Sequence, residues 1–147
     1  MKRILVPLDM KTEPEAIARV VADAARGGGA TVRLLHVAPV PANVEDTDGR
    51  IIAYASQEGA RLETEALDYL RTVEAELDGI PVESVVRFGD PADEILAGAD
   101  DFGTDLIAFA VPAGSCLSSL ALCSTVGRVW RHAKTAVMLL RPSALLA

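Results

Sequence analysis

The sequence predicts one α/β domain, a doubly wound, five-stranded parallel sheet with helices on both faces, and three observations carry that prediction. Short apolar runs with almost no alternation recur along the chain: Ile4-Leu-Val6, Leu34-Leu35, Leu106-Ile-Ala-Phe-Ala110 and Val137-Met-Leu-Leu140. Strands buried on both faces read this way. The stretches between them repeat apolar residues every three or four positions, the spacing of a helix with one buried face. The two kinds alternate as β-α-β-α-β-α-β-α-β, which demands right-handed crossovers and hence parallel strands. No internal repeat or linker interrupts the 147 residues, so residues 1–147 are read as a single domain large enough to bury a core.

Residues 2–8 form the first strand, with Asp9 at its carboxyl end. Thr12-Glu-Pro-Glu15 has the spacing of a capping box with proline in the first turn. The helix behind it carries Ile17, Val20, Val21, Ala24 and Ala25 on one stripe, and Gly27-Gly-Gly29 stops it. Those glycines follow a helix and not a strand, so they are no phosphate loop. Residues 30–37 form the second strand, closed by Pro39 and Pro41, and the polar stretch 43–49 is expected as an exposed loop. A long helix over about 50–77 is expected from Ile52, Ala55, Leu62, Ala66, Tyr69, Leu70, Val73 and Leu77, with Gly59 as a point of loosening. Its charged face is solvated surface. Residues 82–88 make the third strand, and Gly89-Asp-Pro91 turns into a short helix over 92–99.

The remainder is organised by residues 105–132. A buried strand opens at Asp105, a loop with Pro112 and Gly114 follows, and a helix starting near Ser118 carries Leu117, Leu120, Ala121, Ser124 and Val129 at helical spacing. Strand, loop and helix N-terminus make a ready anion site, because unpaired backbone N–H groups point outward there. In an open parallel sheet, ligands bind beyond the carboxyl ends of the strands. Thr135 to Leu140 is the fifth strand, stopped by Arg141-Pro142. As the last strand it would leave an apolar edge exposed. Pairing with the same strand of a second copy about a twofold axis covers it, and Trp130 belongs either to that interface or to the core.

Bulk properties exclude several classes. A formal net charge of −7 argues against a nucleic-acid binder, which needs a basic face for phosphates. The basic, apolar N-terminus is cut short by Pro7 and Asp9, unlike a secretory signal. No apolar run approaches the roughly 20 residues that span a bilayer, so a cytoplasmic location with no membrane contact is expected. Cys116 and Cys123 lie seven residues apart, about 10.5 Å of helical rise, too far for a disulfide, and no metal-ligand spacing accompanies them. No serine, cysteine or acid forms a triad with His36 or His132. No catalytic residue and no metal site is therefore expected, and a hydrolase or transferase has the least support.

With the elements placed, the chain resembles the universal stress protein family over nearly its whole length. The resemblance rests on Ile4-Leu-Val-Pro-Leu-Asp9, Leu34-Leu-His-Val37, Gly89-Asp-Pro91, Asp105-Leu-Ile107 and Ser124-Thr-Val-Gly-Arg-Val-Trp-Arg-His-Ala133, in order and on matching elements. It implies the strand order 3-2-1-4-5 and a homodimer. Members that bind ATP carry Gly-x-x-Gly, nine residues, then Gly-Ser or Gly-Thr, after the fourth strand. Aligned from its C-terminal side, that motif puts its glycines at Ala110, Ala113 and Cys123, with Ser124 kept. A glycine serving a phosphate lets backbone N–H groups approach the anion, and φ > 0 there costs alanine about 1–2 kcal/mol. Pro112 removes a further donor. Gly114 and Ser115, Ser118 and Ser119 could instead build a different anion nest.

Asp9 matches the acidic residue that contacts the nucleoside end in ATP-binding members, and a local cap of the turn into the first helix explains it equally. The candidate nucleotide site is thus Asp9, Val37, Ala110, Ala113, Gly114, Ser115 and Ser124. The expectation is a non-catalytic, homodimeric stress-response protein with a degenerate nucleotide site, no resident cofactor and protein partners. The alternative is an ATP- or AMP-binding regulator using a rebuilt loop at Gly114 to Ser119.

Overall fold

The computed structural model describes residues 3–25, 29–110 and 120–140, with residues 44, 52, 53, 120–124 and 140 described at the backbone only. Strand β1 (Arg3–Pro7) leads to helix α1 (Pro14–Ala25) and strand β2 (Thr31–Ala38). A short hairpin follows, β3 (Val44–Glu45) and β4 (Ile51–Ala53), then α2 (Ala55–Glu76) and β5 (Val82–Phe88). The chain closes with α3 (Pro91–Phe102), β6 (Leu106–Ala110), α4 (Leu120–His132) and β7 (Ala136–Leu140). The main sheet has the order β5-β2-β1-β6-β7, and every pairing in it is parallel. Apart from the hairpin, this is the predicted 3-2-1-4-5 arrangement.

Side-chain parity along the central strands builds two cores. Ile4, Val6 and Leu8 of the β1 segment join Val32, Leu34, Leu106 and Ala108 under α1 and α2, which contribute Ile17, Ala18, Val21, Leu70 and Val73. Leu5, Leu35, Ile107 and Phe109 face the other way, against Ala92, Ile95 and Ala99 of α3 and Val129 of α4. The unalternating apolar runs are explained by this two-sided burial. At Gly98 a Cβ would stand 3.4 Å from Leu35 Cδ2, so a glycine lets α3 lie close to the sheet.

Several boundaries differ from expectation for local reasons. The first helix starts at Pro14, and the Glu13 carbonyl accepts from Ala16 and Ile17, so Thr12 does not cap it. The stretch 43–53 is a hairpin and not a loop running into helix: Asp46 Oδ1 accepts the N–H groups of Asp48 and Arg50 at 2.9 and 2.8 Å and tightens the turn. Asn43 Oδ1 accepts the Ala55 N–H at 2.9 Å, which sets the start of α2. Gly59 does not interrupt that helix; Pro41 packs where its Cβ would be, at 3.1 Å. Helix α3 runs on to Phe102 and ends at Gly103, whose φ of 65° is the left-handed cap that glycine favours. Trp130 is 67% exposed and so is not a core residue.

Arginines fasten the outside. Arg33 pairs with Glu83 at 2.5 Å across neighbouring strands and lies 4.3 Å over the Phe102 ring. Arg128 of α4 reaches both oxygens of Asp90, the N-cap of α3, at 3.1 and 2.9 Å, and Asp93 at 3.1 Å. The Asp93 backbone N–H, and then the Arg128 guanidinium, hold the Asp90 carboxyl below its usual range.

Candidate functional site

The connection order of the sheet reverses beside β1: the chain moves outward to β2 and β5, then crosses back to β6 and β7. The crevice between the carboxyl ends of β1 and β6 is therefore the topological switch point, where open α/β sheets place ligands. Asp9 follows β1 and is exposed, Ala110 ends β6, and Val37 stands near the carboxyl end of β2. All three half-buried or exposed positions lie at one end of the sheet. Val37 packs against the α3/α4 core and Ala110 against the α1/α2 core, so their side chains flank the crevice from opposite faces.

Ala113, Gly114 and Ser115, with the rest of the proposed loop, lie outside the described residues. Ser124 is in α4 (Leu120–His132), with Leu120 already helical four residues before it. Its N–H is therefore internal to the helix and is not one of the free donors of a first turn.

Asp9 does not cap α1, which begins five residues later. Its Oδ1 accepts the Lys11 N–H at 2.9 Å, closing a small turn, and Met10 inside that turn has φ 67°. For a residue with a Cβ this left-handed conformation costs about 1–2 kcal/mol, so surrounding structure must hold it. Two side chains bond the carbonyls at either end of this stretch, and sequence reasoning missed both. His36, buried, has Nδ1 2.8 Å from the Leu8 carbonyl oxygen; a carbonyl only accepts, so Nδ1 carries the proton. The Leu8 N–H meanwhile donates to Leu35 at 2.8 Å. At the other end the Tyr69 hydroxyl, from α2, donates to the Thr12 carbonyl at 2.5 Å. The one signal available was a polar tip on each of two otherwise apolar stripes, since a buried imidazole, or a half-buried phenol, takes a partner.

Burial, and then the negative charges of Asp9 and Glu13, push the Tyr69 phenol up from its ordinary 10 to about 12. A folded-state pKa above the unfolded one means that the stabilisation is full below pH 10 and is lost as pH rises through 12. The expected result is a Tyr69 titration midpoint, followed by NMR at Cζ, near 12. Asp9→Asn lowers it while leaving the contribution of burial in place.

Other features do not compete for the role. A small hollow lined by Asp100, His132, Lys134 and Thr135 lies between α3 and α4, at the amino end of β7 and away from the crevice. Among the described residues no group of three or more His, Cys, Asp and Glu side chains could hold a metal ion, and no helix is long and apolar enough to cross a membrane.

A sequence model described as the universal stress protein family matches residues 1–141. No curated protein matches the chain. Among solved structures, a universal stress family protein from Burkholderia pseudomallei is similar with a TM-score of 0.69 and 20% identity, over 97% of this chain and 96% of that one. A universal stress protein from Archaeoglobus fulgidus in complex with dAMP has a TM-score of 0.61 and 17% identity, over 95% and 98%. A universal stress protein in complex with cAMP has a TM-score of 0.60 and 18% identity, over 97% and 98%. At such identities the likeness to these structures is one of fold.

Proposed function

The chain belongs to the universal stress protein family, and we propose that it is a cytoplasmic, non-enzymatic stress-response protein acting as a homodimer. Its crevice keeps the nucleoside-contacting end of a nucleotide site and lacks the glycine cradle for a triphosphate, so its ligand is an adenosine monophosphate and not ATP. One observation carries this reading: Asp9 stands exposed on a braced turn at the switch point, while Ala110, Ala113 and Cys123 occupy the positions of the three motif glycines. Support comes from two proteins of like fold that bind dAMP and cAMP, both adenine nucleotides with a single phosphate. The homodimer is supported by β7, which ends the sheet with Met138 40% and Leu139 44% exposed.

Calorimetric titration tests the ligand. AMP is expected to bind at least as tightly as Mg-ATP, and Asp9→Ala to weaken AMP about 10-fold, as removal of a charged hydrogen-bond partner does. Tighter binding of Mg-ATP, lost on substituting Ser115 or Ser118, assigns the rebuilt loop instead. No binding of either nucleotide leaves a relic site, and the function then lies with protein partners.

A further inference from the structure

The turn that carries Asp9 is bounded by two carbonyls, and each is held by a side chain from a different element. Leu8 is gripped by His36 of β2, and Thr12 by Tyr69 of α2. Between them lie the Asp9–Lys11 bond and the left-handed Met10. Of the two anchors, His36 extends a ladder that the backbone already makes through Leu8 and Leu35. The Tyr69 hydroxyl makes the long-range bond that fixes the far end of the turn, 57 residues away in sequence. Its own helix cannot yield, because Ala66, Leu70 and Val73 on either side of it are fully buried.

We propose that Tyr69 is a positioning residue for the crevice: by holding the Thr12 carbonyl it keeps Met10 left-handed and aims the Asp9 carboxylate beyond the end of β1. A ring alone would fill the same space. Only the hydroxyl can hold the carbonyl, because a bare ring offers no donor, and the half-buried Tyr69 hydroxyl finds its acceptor in the Thr12 oxygen. The negative charge of Asp9 is felt at the phenol, which places the two groups in one electrostatic neighbourhood although no bond joins them. The ligand consequence of this inference rests on the nucleotide reading above; the positioning itself does not.

Tyr69→Phe keeps the ring and removes the bond. Expected are faster hydrogen exchange and shifted amide resonances at Met10 and Lys11, with the rest of α2 unchanged, and AMP affinity about 5-fold weaker than in the unsubstituted protein. A merely structural role would lower the unfolding midpoint and leave the Met10 and Lys11 amides where they were, and that result overturns the proposal. Should the unsubstituted protein bind no AMP, the nucleotide reading fails, while the amide signals still decide for or against Tyr69. Tyr69→Leu, which removes ring and hydroxyl together, is expected to match Tyr69→Phe at those two amides. If only the leucine variant perturbs them, packing and not the hydroxyl positions the turn.

Discussion

Leu70→Ala is expected to lower the free energy of unfolding by about 2–5 kcal/mol, measured by urea denaturation, with an unchanged dependence on urea concentration. Leu70 is fully buried and sits where α2 meets the sheet, beside Val73 and among Leu34, Val6 and Ile4 of the same core. Truncation removes the transfer free energy of the side chain and leaves a cavity that close-packed neighbours fill only in part. A domain of this size holds only about 5–15 kcal/mol in total, so one such change removes a large share. Leu70→Met conserves volume and should cost less than about 1.5 kcal/mol. If alanine and methionine behaved alike, α2 would not be packed on β2 and β5 as it is. The pair also calibrates the neighbouring Tyr69: a fault in the packing of α2 shows at Leu70, whereas a fault in the Asp9 turn does not.

If β7 pairs with a second copy as proposed, Met138→Lys is expected to convert that dimer to monomer, weakening association about 100-fold, or about 2.8 kcal/mol, as read by sedimentation velocity. An edge strand offers a row of unpaired backbone groups to a second copy. In antiparallel pairing about a twofold axis, facing side chains come within about 5 Å. A charge placed there meets its symmetry mate or loses its hydration, whereas on an isolated edge it stays in water. Met138 is 40% exposed and Leu139 44%, so the folded monomer accommodates the lysine and should unfold at nearly the same urea concentration once dimerisation is accounted for. Trp130→Lys separates the strand from the adjoining helix: Trp130 is 67% exposed, and loss of the dimer in that variant too would extend the interface onto α4. An unsubstituted protein that sediments as a monomer removes the edge-pairing idea altogether.

The parts of the fold legible in the sequence were those that repeat a pattern. Four apolar runs separated by helical stripes place β1, β2, β6 and β7, and burial on both faces explains why the central ones carry no polar residue at every second position. Strand β5, half-buried at the sheet edge, is placed by the turn signals around it. The order of the strands came with the family resemblance and matches the pairing found. What was not legible depends on single hydrogen bonds. The hairpin of β3 and β4 has two and three residues per strand, too few to show alternation, and it exists because Asp46 organises its own turn. The start of α2 is decided by Asn43, twelve residues away from the N–H it accepts. At the candidate site, motif position points to Asp9 and Val37, and the structure puts both at the carboxyl end of the sheet. The sequence shows His36 only as part of a strand and Tyr69 only as part of a stripe, since a bond to a distant carbonyl leaves no periodic trace.

The hairpin changes what evolution can do with this part of the chain. Residues 39–54 form a long connection between β2 and α2, yet its middle zips onto itself and rejoins the body through Asn43 and Pro41 at its base. Extra residues added at the tip, where Thr47, Asp48 and Gly49 are exposed, add little closure entropy, since that term grows only with the logarithm of loop length. Neither the register of β2 against β5 nor the seat of α2 would feel the addition. Descendants of this chain can thus acquire a new surface segment at the tip while the sheet and the crevice are inherited unaltered.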